Sequence, residues 1–256
     1  MRTLLSGTLL AVTLLVAVHT APAQGIYWES TTTIDAGGQQ TMQSQTYAMP
    51  KMLKHASSKG EAMIMRLDQQ AMYALQPSEK TYWKMTLAEM EAMMKEAGAK
   101  MDDAMKEMES AMKDMSPEER KMMEGMMGDK LKGMTSTGAV DVRTTGKTKK
   151  IAGYTSKEYV ATRDGQPLMT VWATTELKEF ASMRRDWEEF NKRLLSMDIR
   201  IGKGMIEAFQ KIDGFPMETD MMGVHTVVTK VEPRTIQAST FDIPSGYTQV
   251  DPPSME

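Results

Sequence analysis

Methionine is the residue type in this sequence whose number and spacing suggest particular chemistry. The chain of 256 residues contains 29 methionines and no cysteine. A thioether sulfur is a soft ligand that selects Cu(I) over zinc or magnesium, and it is oxidised reversibly to the sulfoxide. Adjacent side chains on a helix diverge by about 100°, but two adjacent pairs one turn apart are candidate copper ligands: Met122, Met123, Met126 and Met127. Copper binding and a methionine sink for oxidants are therefore the alternatives that sulfur chemistry offers.

Side chains typical of enzyme active sites are few. Beyond residue 23 the histidines are His55 and His225, which lie far apart in sequence. The carboxylate pairs Asp102-Asp103 and Glu118-Glu119 fall in charged helical segments, where solvated carboxylates are expected. The sequence has no nucleophile elbow, phosphate loop or metalloprotease motif. Its net charge of −3, with both signs mixed, does not indicate nucleic-acid binding. We predict no catalytic activity, no cofactor and no nucleic-acid partner.

The methionines also follow the spacing of an amphipathic helix, which is the simplest structural explanation for them. Thr86 and Glu89 form a capping box, which predicts a helix over residues 87–115. Ser116 and Pro117 predict the start of a second helix that ends near residue 131. On the first helix one apolar stripe has methionines at spacings of three, four and seven residues: Met90, Met94, Met101, Met105, Met108, Met112 and Met115.

Methionine is an unusual choice for such a stripe, because leucine has better-defined rotamers. An unbranched, polarizable side chain lets a surface repack around ligands of varied shape. We therefore expect a loosely packed lid over an apolar cavity, with four of these residues in contact with a ligand: Met101, Met105, Met108 and Met112.

Alternating apolar and polar residues predict β-strands on both sides of this insertion. Residues 26–85 have short breaks only, which predicts an antiparallel meander. Strands resume over 140–143, 156–163 and 167–174, and the last of them are predicted over 216–221, 224–231 and 235–241. A turn is expected at Glu232-Pro233-Arg234. Between these groups, residues 176–212 predict a second helical region, with aromatic residues at helical spacing.

This order of elements predicts an α+β fold. About ten to twelve antiparallel strands must curl into a half-barrel to bury one face, and the two helical insertions, over residues 86–132 and 176–212, are the natural cover. We expect one domain over residues 24–256. Strand alternation sends some aromatic residues toward the resulting cavity, and we assign ligand contacts to Tyr73, Trp83 and Trp172.

The N-terminus predicts the cellular location. Arg2 precedes an apolar run over residues 4–18, and Ala21-Pro22-Ala23 has the small-x-small pattern of a signal-peptide cleavage site. We expect residues 1–23 to be removed after Ala23 and the mature protein to be periplasmic or secreted. No later segment approaches the roughly 20 apolar residues of a membrane-spanning helix, so we do not expect an integral membrane protein.

Three further segments resemble a known family. They are TGKTKKIAGYTSKEY (residues 145–159), GFPMETD (214–220) and FDIPSGYTQV (241–250). Together they resemble an exported bacterial domain of unknown function that is grouped by fold with the lipoprotein carriers LolA and LolB. The resemblance implies a LolA-like fold that holds a lipid, an acyl chain or a lipidated peptide between sheet and helices. Relatives often have cysteine where this chain has Ser156, so no thiol or disulfide role carries over.

Overall fold

A computed structural model describes residues 23–35, 38–113, 116, 139–196, 203–221 and 223–253 of the chain. The predicted signal peptide lies outside these residues except for its last position, Ala23. The predicted second methionine helix and its candidate copper ligands, Met122, Met123, Met126 and Met127, also lie outside them.

The described residues form one twelve-stranded sheet. Its strands run in the spatial order β12-β6-β5-β4-β3-β2-β1-β11-β10-β9-β8-β7. All neighbouring strands are antiparallel except β12, which pairs in parallel with β6. The strands are β1 Ala23–Asp35, β2 Gln39–Met49, β3 Met52–Ser57, β4 Ala62–Arg66, β5 Ala71–Gln76, β6 Thr81–Thr86, β7 Val140–Ile151, β8 Tyr154–Arg163, β9 Gln166–Thr174, β10 Phe215–Met221, β11 Val224–Ile236 and β12 Thr248–Gln249. The predicted curved antiparallel sheet is confirmed.

Short turns explain this order, because tight connections join consecutive strands as neighbours. The exception is the pair at the centre of the sheet, β1 and β11. Their register extends from Ala23 opposite Ile236 to Ile34 opposite Val224, so the first and last long strands join the two meanders into one sheet.

Two strands are longer than the sequence predicts. The turn expected at Glu232-Pro233-Arg234 is wrong, since β11 continues through it and Pro233 lies opposite Ile26. At that point β11 is paired with β1 alone, because β10 pairs only with residues 224–227. A proline on an unpaired edge removes no ladder hydrogen bond. At the end of the sheet, β7 extends to Ile151 by way of a register shift between Thr144 and Thr148, and such bulges are common on edge strands.

The helices follow the two predicted insertions. They are α1 Leu87–Lys113, α2 Lys178–Ser196 and α3 Lys203–Lys211, with a 3₁₀ helix at Ala238–Phe241. The predicted capping box starts α1: the Thr86 backbone N–H donates to Glu89 at 2.7 Å, and the Glu89 backbone N–H donates to the Thr86 hydroxyl at 3.1 Å. Among the described residues, no helix is both long enough and apolar enough to cross a membrane.

Packing occurs on both faces of the sheet. On one face, α2 contacts β1, α3 contacts β7 and α1 contacts β6. On the other, the segment after β11 crosses β3 and buries Phe241 against Ile64 and Leu75. The Lys54 ammonium donates to the Thr240 carbonyl there at 3.2 Å. The sheet is therefore covered by helices on one side and by the C-terminal segment on part of the other.

Candidate apolar ligand site

A small cavity lies between α2, α3 and the first residues of β10. Its volume is about 130 Å³. The lining is mainly aromatic and aliphatic: Phe180, Trp187, Phe209, Ile212 and Pro216. We take it as the candidate ligand site, because apolar concavities with a few polar groups at the rim are the usual form of small-molecule sites.

Helical spacing brings its aromatic walls together. Phe180 and Trp187 are seven residues apart on α2, so they share one face. At the inner end the Phe180 ring meets Phe215 edge to face, with centroids 5.2 Å apart, and Phe215 meets Trp28 at the same distance. Phe209, on α3, is 37% exposed and lies at the opening. The cavity thus extends from solvent to the aromatic core under the sheet.

The polar rim is centred on Arg184. Its guanidinium donates to the Gln210 carbonyl at 2.9 Å and lies 3.4 Å from Glu188 and 3.6 Å from Asp213. These contacts tie α2 to the end of α3. One arginine beside two carboxylates gives the opening no excess positive charge, so the rim does not favour an anionic ligand. Burial, and to a lesser degree the Asp213 carboxylate, raise the pKa of nearby Tyr159, which stays a neutral phenol.

A hydrophobic cluster that is rich in methionine adjoins the cavity along α2. Its buried members are Met85, Leu87 and Met90, and Leu67, Met72, Trp83, Met93, Met94 and Phe190 pack against them. We call this group the methionine cluster. The Phe190 ring also meets Trp187 of the cavity wall edge to face, with centroids 6.0 Å apart. One apolar surface therefore runs from the cavity to the first turns of α1.

Of the three aromatic residues expected to contact a ligand, Trp83 lies in the methionine cluster, on the helix-covered face. Tyr73 does not lie on this face, so its predicted position in the cavity is wrong. Tyr73 lies opposite Lys84, whereas Trp83 lies opposite Ala74, so strand alternation places the two rings on opposite faces. Tyr73 packs instead beside Tyr82, with centroids 6.4 Å apart, and its hydroxyl donates to Gln69 at 2.7 Å.

Trp172 does not line the cavity itself. It packs against the core cluster of Phe215 and Met217, as Phe180 and Trp187 also do. The Lys149 ammonium lies 4.2 Å from the centre of the Trp172 ring and 2.7 Å from the Glu218 carboxylate. The structure therefore places the three predicted aromatic contacts in three different environments.

The predicted lid residues stay a prediction. Met101, Met105, Met108 and Met112 all fall within α1, as expected from their spacing, but their side chains lie outside the described part of the structure. Closer to the sheet, Met90 is buried and Met94 is half-buried. The stripe thus packs against the fold at its N-terminal end.

Sequence reasoning missed the cavity residues of α2 and α3. The available signal was the aromatic spacing of Phe180 and Trp187 on the second helical region, which predicted a helix but was not assigned to a site. The contribution of Phe209 had no comparable signal, because it depends on how α3 packs against α2. Among the described residues, no group of three or more His, Cys, Asp or Glu side chains could hold a metal ion.

Comparison with solved structures finds distant similarities. PNGF-II in a C2 crystal form is 11% identical, with 90% of this chain and 31% of that protein covered, at a TM-score of 0.40. The LolA superfamily protein NE2245 from Nitrosomonas europaea is 9% identical, with 87% of this chain and 91% of that protein covered, at a TM-score of 0.29. The chain thus spans about a third of the length of PNGF-II. Neither TM-score is high enough to support a functional comparison.

Comparison with sequences is more specific. No curated protein matches the chain. The family model described as "Domain of unknown function (DUF4412)" matches residues 86–247, which include α1 to α3 and strands β7 to β11. Because this match covers more than half of the 256 residues, the chain belongs to the DUF4412 family.

Proposed function

We propose that this protein is a non-catalytic exported protein that binds an apolar ligand, such as a lipid, an acyl chain or a lipidated peptide, between its sheet and its helices. The observation that carries the proposal is the aromatic cavity between α2 and α3, which is continuous with the methionine cluster. Both lie on the helix-covered face.

The size of the cavity constrains how a ligand enters. A volume of about 130 Å³ is below the roughly 300–1,000 Å³ of typical ligand sites. It accommodates the end of a chain, and a longer ligand needs the surrounding side chains to repack. Methionine side chains do this at low cost, because they are unbranched and have three rotatable bonds. The balanced charge around Arg184 favours an uncharged polar group at the opening over a carboxylate.

Export is part of the same proposal. The cleavage expected after Ala23 would leave Gln24 as the first residue, one position into β1. The mature chain would therefore begin within strand β1. The mass of the protein recovered from outside the cytoplasm tests this cleavage directly.

Ligand binding is tested with a solvatochromic apolar dye and its displacement by fatty alcohols and fatty acids of increasing chain length. Phe209→Asn makes the opening polar and should weaken dye binding about tenfold, whereas Phe209→Leu keeps it apolar and should bind as the parent does. Fatty alcohols should displace the dye better than fatty acids of equal length, because the opening has no excess positive charge.

Met42→Asn is the matched control. Met42 is also an exposed apolar residue, at 43%, but it lies on β2 opposite Thr32, away from the cavity. This variant should bind the dye normally. Equal loss of binding in the Met42 and Phe209 variants, or no loss in either, would contradict a ligand site between α2 and α3.

A further inference from the structure

The methionine cluster differs in composition from the other hydrophobic clusters of the described residues. Five of its nine residues are methionines. The other three clusters are larger and contain two methionines each: Met183 and Met217, Met169 and Met221, and Met49 and Met52. Thioethers are therefore concentrated at the junction of α1 with the sheet, where leucine or isoleucine would fill the same space with better-defined rotamers.

Strand register explains how these sulfurs converge. Met72 on β5 lies directly opposite Met65 on β4 and directly opposite Met85 on β6. Opposite residues of an antiparallel pair share a face and have Cβ atoms about 5 Å apart. Three methionines on adjacent strands thus form one cross-strand row on the helix-covered face.

The helix adds thioethers from above this row. Because α1 begins at Leu87, directly after β6, its first turn cannot move away from Met85. Met90 is buried there, and Met93 and Met94 pack beside it. The cluster therefore contains thioethers from strands and from a helix. Adjacent methionines on a single helix point in different directions, whereas these side chains approach one another from two elements.

The chemistry of this group selects a soft ion. The chain has no cysteine, and in the part of the chain that the structure describes no three His, Asp or Glu side chains are grouped to hold a metal ion, so the hard-ion and zinc sites built from such ligands are not found at this junction. Thioethers prefer Cu(I). Trp83 packs against the same cluster, and an indole face attracts a cation electrostatically. Neutral ligands with one aromatic face suit a monovalent cation.

We propose that the methionine cluster is a binding site for a soft monovalent metal ion, with Met72, Met85 and Met90 as its central ligands and Cu(I) as the ion of its chemical class. Met72, Met93 and Met94 are half-buried, so an ion reaches the sulfurs without unfolding of the chain. The site uses other residues than the cavity, and the proposal does not depend on apolar ligand binding.

Ag(I) is the probe for the test, because it has the ligand preference of Cu(I) without its redox chemistry. In the full chain with ¹³C-labelled methionine methyl groups, the first equivalent of Ag(I) should shift the resonances of Met72, Met85 and Met90, assigned by single leucine substitutions. The methyl resonances of Met169 and Met217 should stay in place. Unshifted resonances of the three cluster residues at saturation would overturn the proposal, whatever the other methionines bind.

Calorimetric titration supplies a second measurement. Met72→Leu, Met85→Leu and Met90→Leu together should weaken binding of the first Ag(I) equivalent at least tenfold. The same substitution at Met169, Met183 and Met217, which are buried in other clusters, should leave it unchanged. Thioethers release no proton on binding, so the affinity should be equal at pH 5.5 and pH 7.5. A tenfold loss at the lower pH would instead identify histidine ligands and overturn the assignment.

Discussion

At the scale of single residues, buried hydroxyl groups of the sheet fall into two kinds. The Thr46 hydroxyl, 2% exposed, is hydrogen-bonded to Nδ1 of His55 at 2.9 Å. The Ser156 side chain is fully buried, and its oxygen has no hydrogen-bond partner. A buried hydroxyl without a partner keeps the cost of its desolvation, whereas a bonded one recovers it.

This contrast gives a prediction for stability. Ser156→Ala should raise the free energy of unfolding by about 1 kcal/mol, because it removes a desolvated group that makes no bond. Thr46→Val should lower the same quantity by about 1 kcal/mol, because it leaves the His55 ring nitrogen without its partner. Urea unfolding followed by circular dichroism measures both changes. A loss of stability in the Ser156 variant would show that its hydroxyl is bonded in solution.

A second residue-scale prediction concerns pH. The Arg66 guanidinium donates to both carboxylate oxygens of Asp68, at 2.9 and 2.7 Å. These hydrogen bonds hold the pKa of the Asp68 carboxyl below its ordinary value. A carboxyl whose pKa is lowered by folding stabilises the protein at pH values above its unfolded pKa, and this contribution is lost as the pH falls through the folded pKa.

Asp68→Asn should therefore lower the free energy of unfolding by about 1 kcal/mol at pH 7. The difference from the parent should shrink below about pH 4 and vanish once Asp68 is protonated in both states. Asp103→Asn is the control, because its pair with Lys106 is exposed on α1 and should contribute less than about 0.5 kcal/mol. A difference for Asp68 that stayed constant down to pH 2.5 would argue against an ionic origin.

At the scale of elements, the junction between α3 and β10 requires glycine. Gly214 has a φ of +98°, and a Cβ at this position would lie 2.7 Å from the Thr174 carbonyl carbon and closer still to its oxygen. The backbone of β9 therefore occupies the space that any side chain would need. This junction also lines the cavity, so the same glycine lets α3 approach the sheet and closes one wall of the site.

Gly214→Ala should lower the free energy of unfolding by about 3 kcal/mol or more, because backbone strain and a steric clash add together. Gly153→Ala isolates the effect of backbone strain, since Gly153 has a similar φ of +89° and no atom within 4 Å of the added Cβ. In that variant the free energy of unfolding should fall by only about 1 kcal/mol. Chemical denaturation of both proteins measures the difference, and equal losses would contradict the close contact with Thr174.

At the scale of the whole molecule, the pairing of β1 with β11 connects the two meanders through the longest register in the sheet. The first meander ends at β6 and the second begins at β7, so neither contains the complete centre of the sheet. If either half unfolds, the central ladder that both halves share is broken. Cooperative unfolding of one unit is the consequence.

Tryptophan fluorescence tests this cooperativity. Trp83 lies on β6 and Trp172 on β9, in different halves of the sheet. Two single-tryptophan variants, each with the other three tryptophans replaced by phenylalanine, should each unfold at the same urea concentration by fluorescence as by circular dichroism. A fluorescence transition that departs from the backbone transition in either variant would show that the halves unfold as separate units, and the single-domain prediction would fail.

Local patterns in the sequence determined the elements of this protein. Alternating residues with short turns specify antiparallel strands, and the Thr86–Glu89 capping box specifies where α1 begins, because these signals act over a few residues of chain. Family membership is encoded in the same way, in segments such as the one around Gly214.

The tertiary structure decided what depends on partners distant in sequence. Pro233 continues a strand because β10 does not pair beside it, and Tyr73 turns away from the helices because register assigns each residue to a face. The cavity of Phe180, Trp187 and Phe209 exists because two helices meet over the sheet, and the methionine cluster exists because Met72 and Met85 are aligned across two strands beneath the first turns of α1. Spacing along the chain sets periodicity, but only strand register and helix packing set which side chains meet.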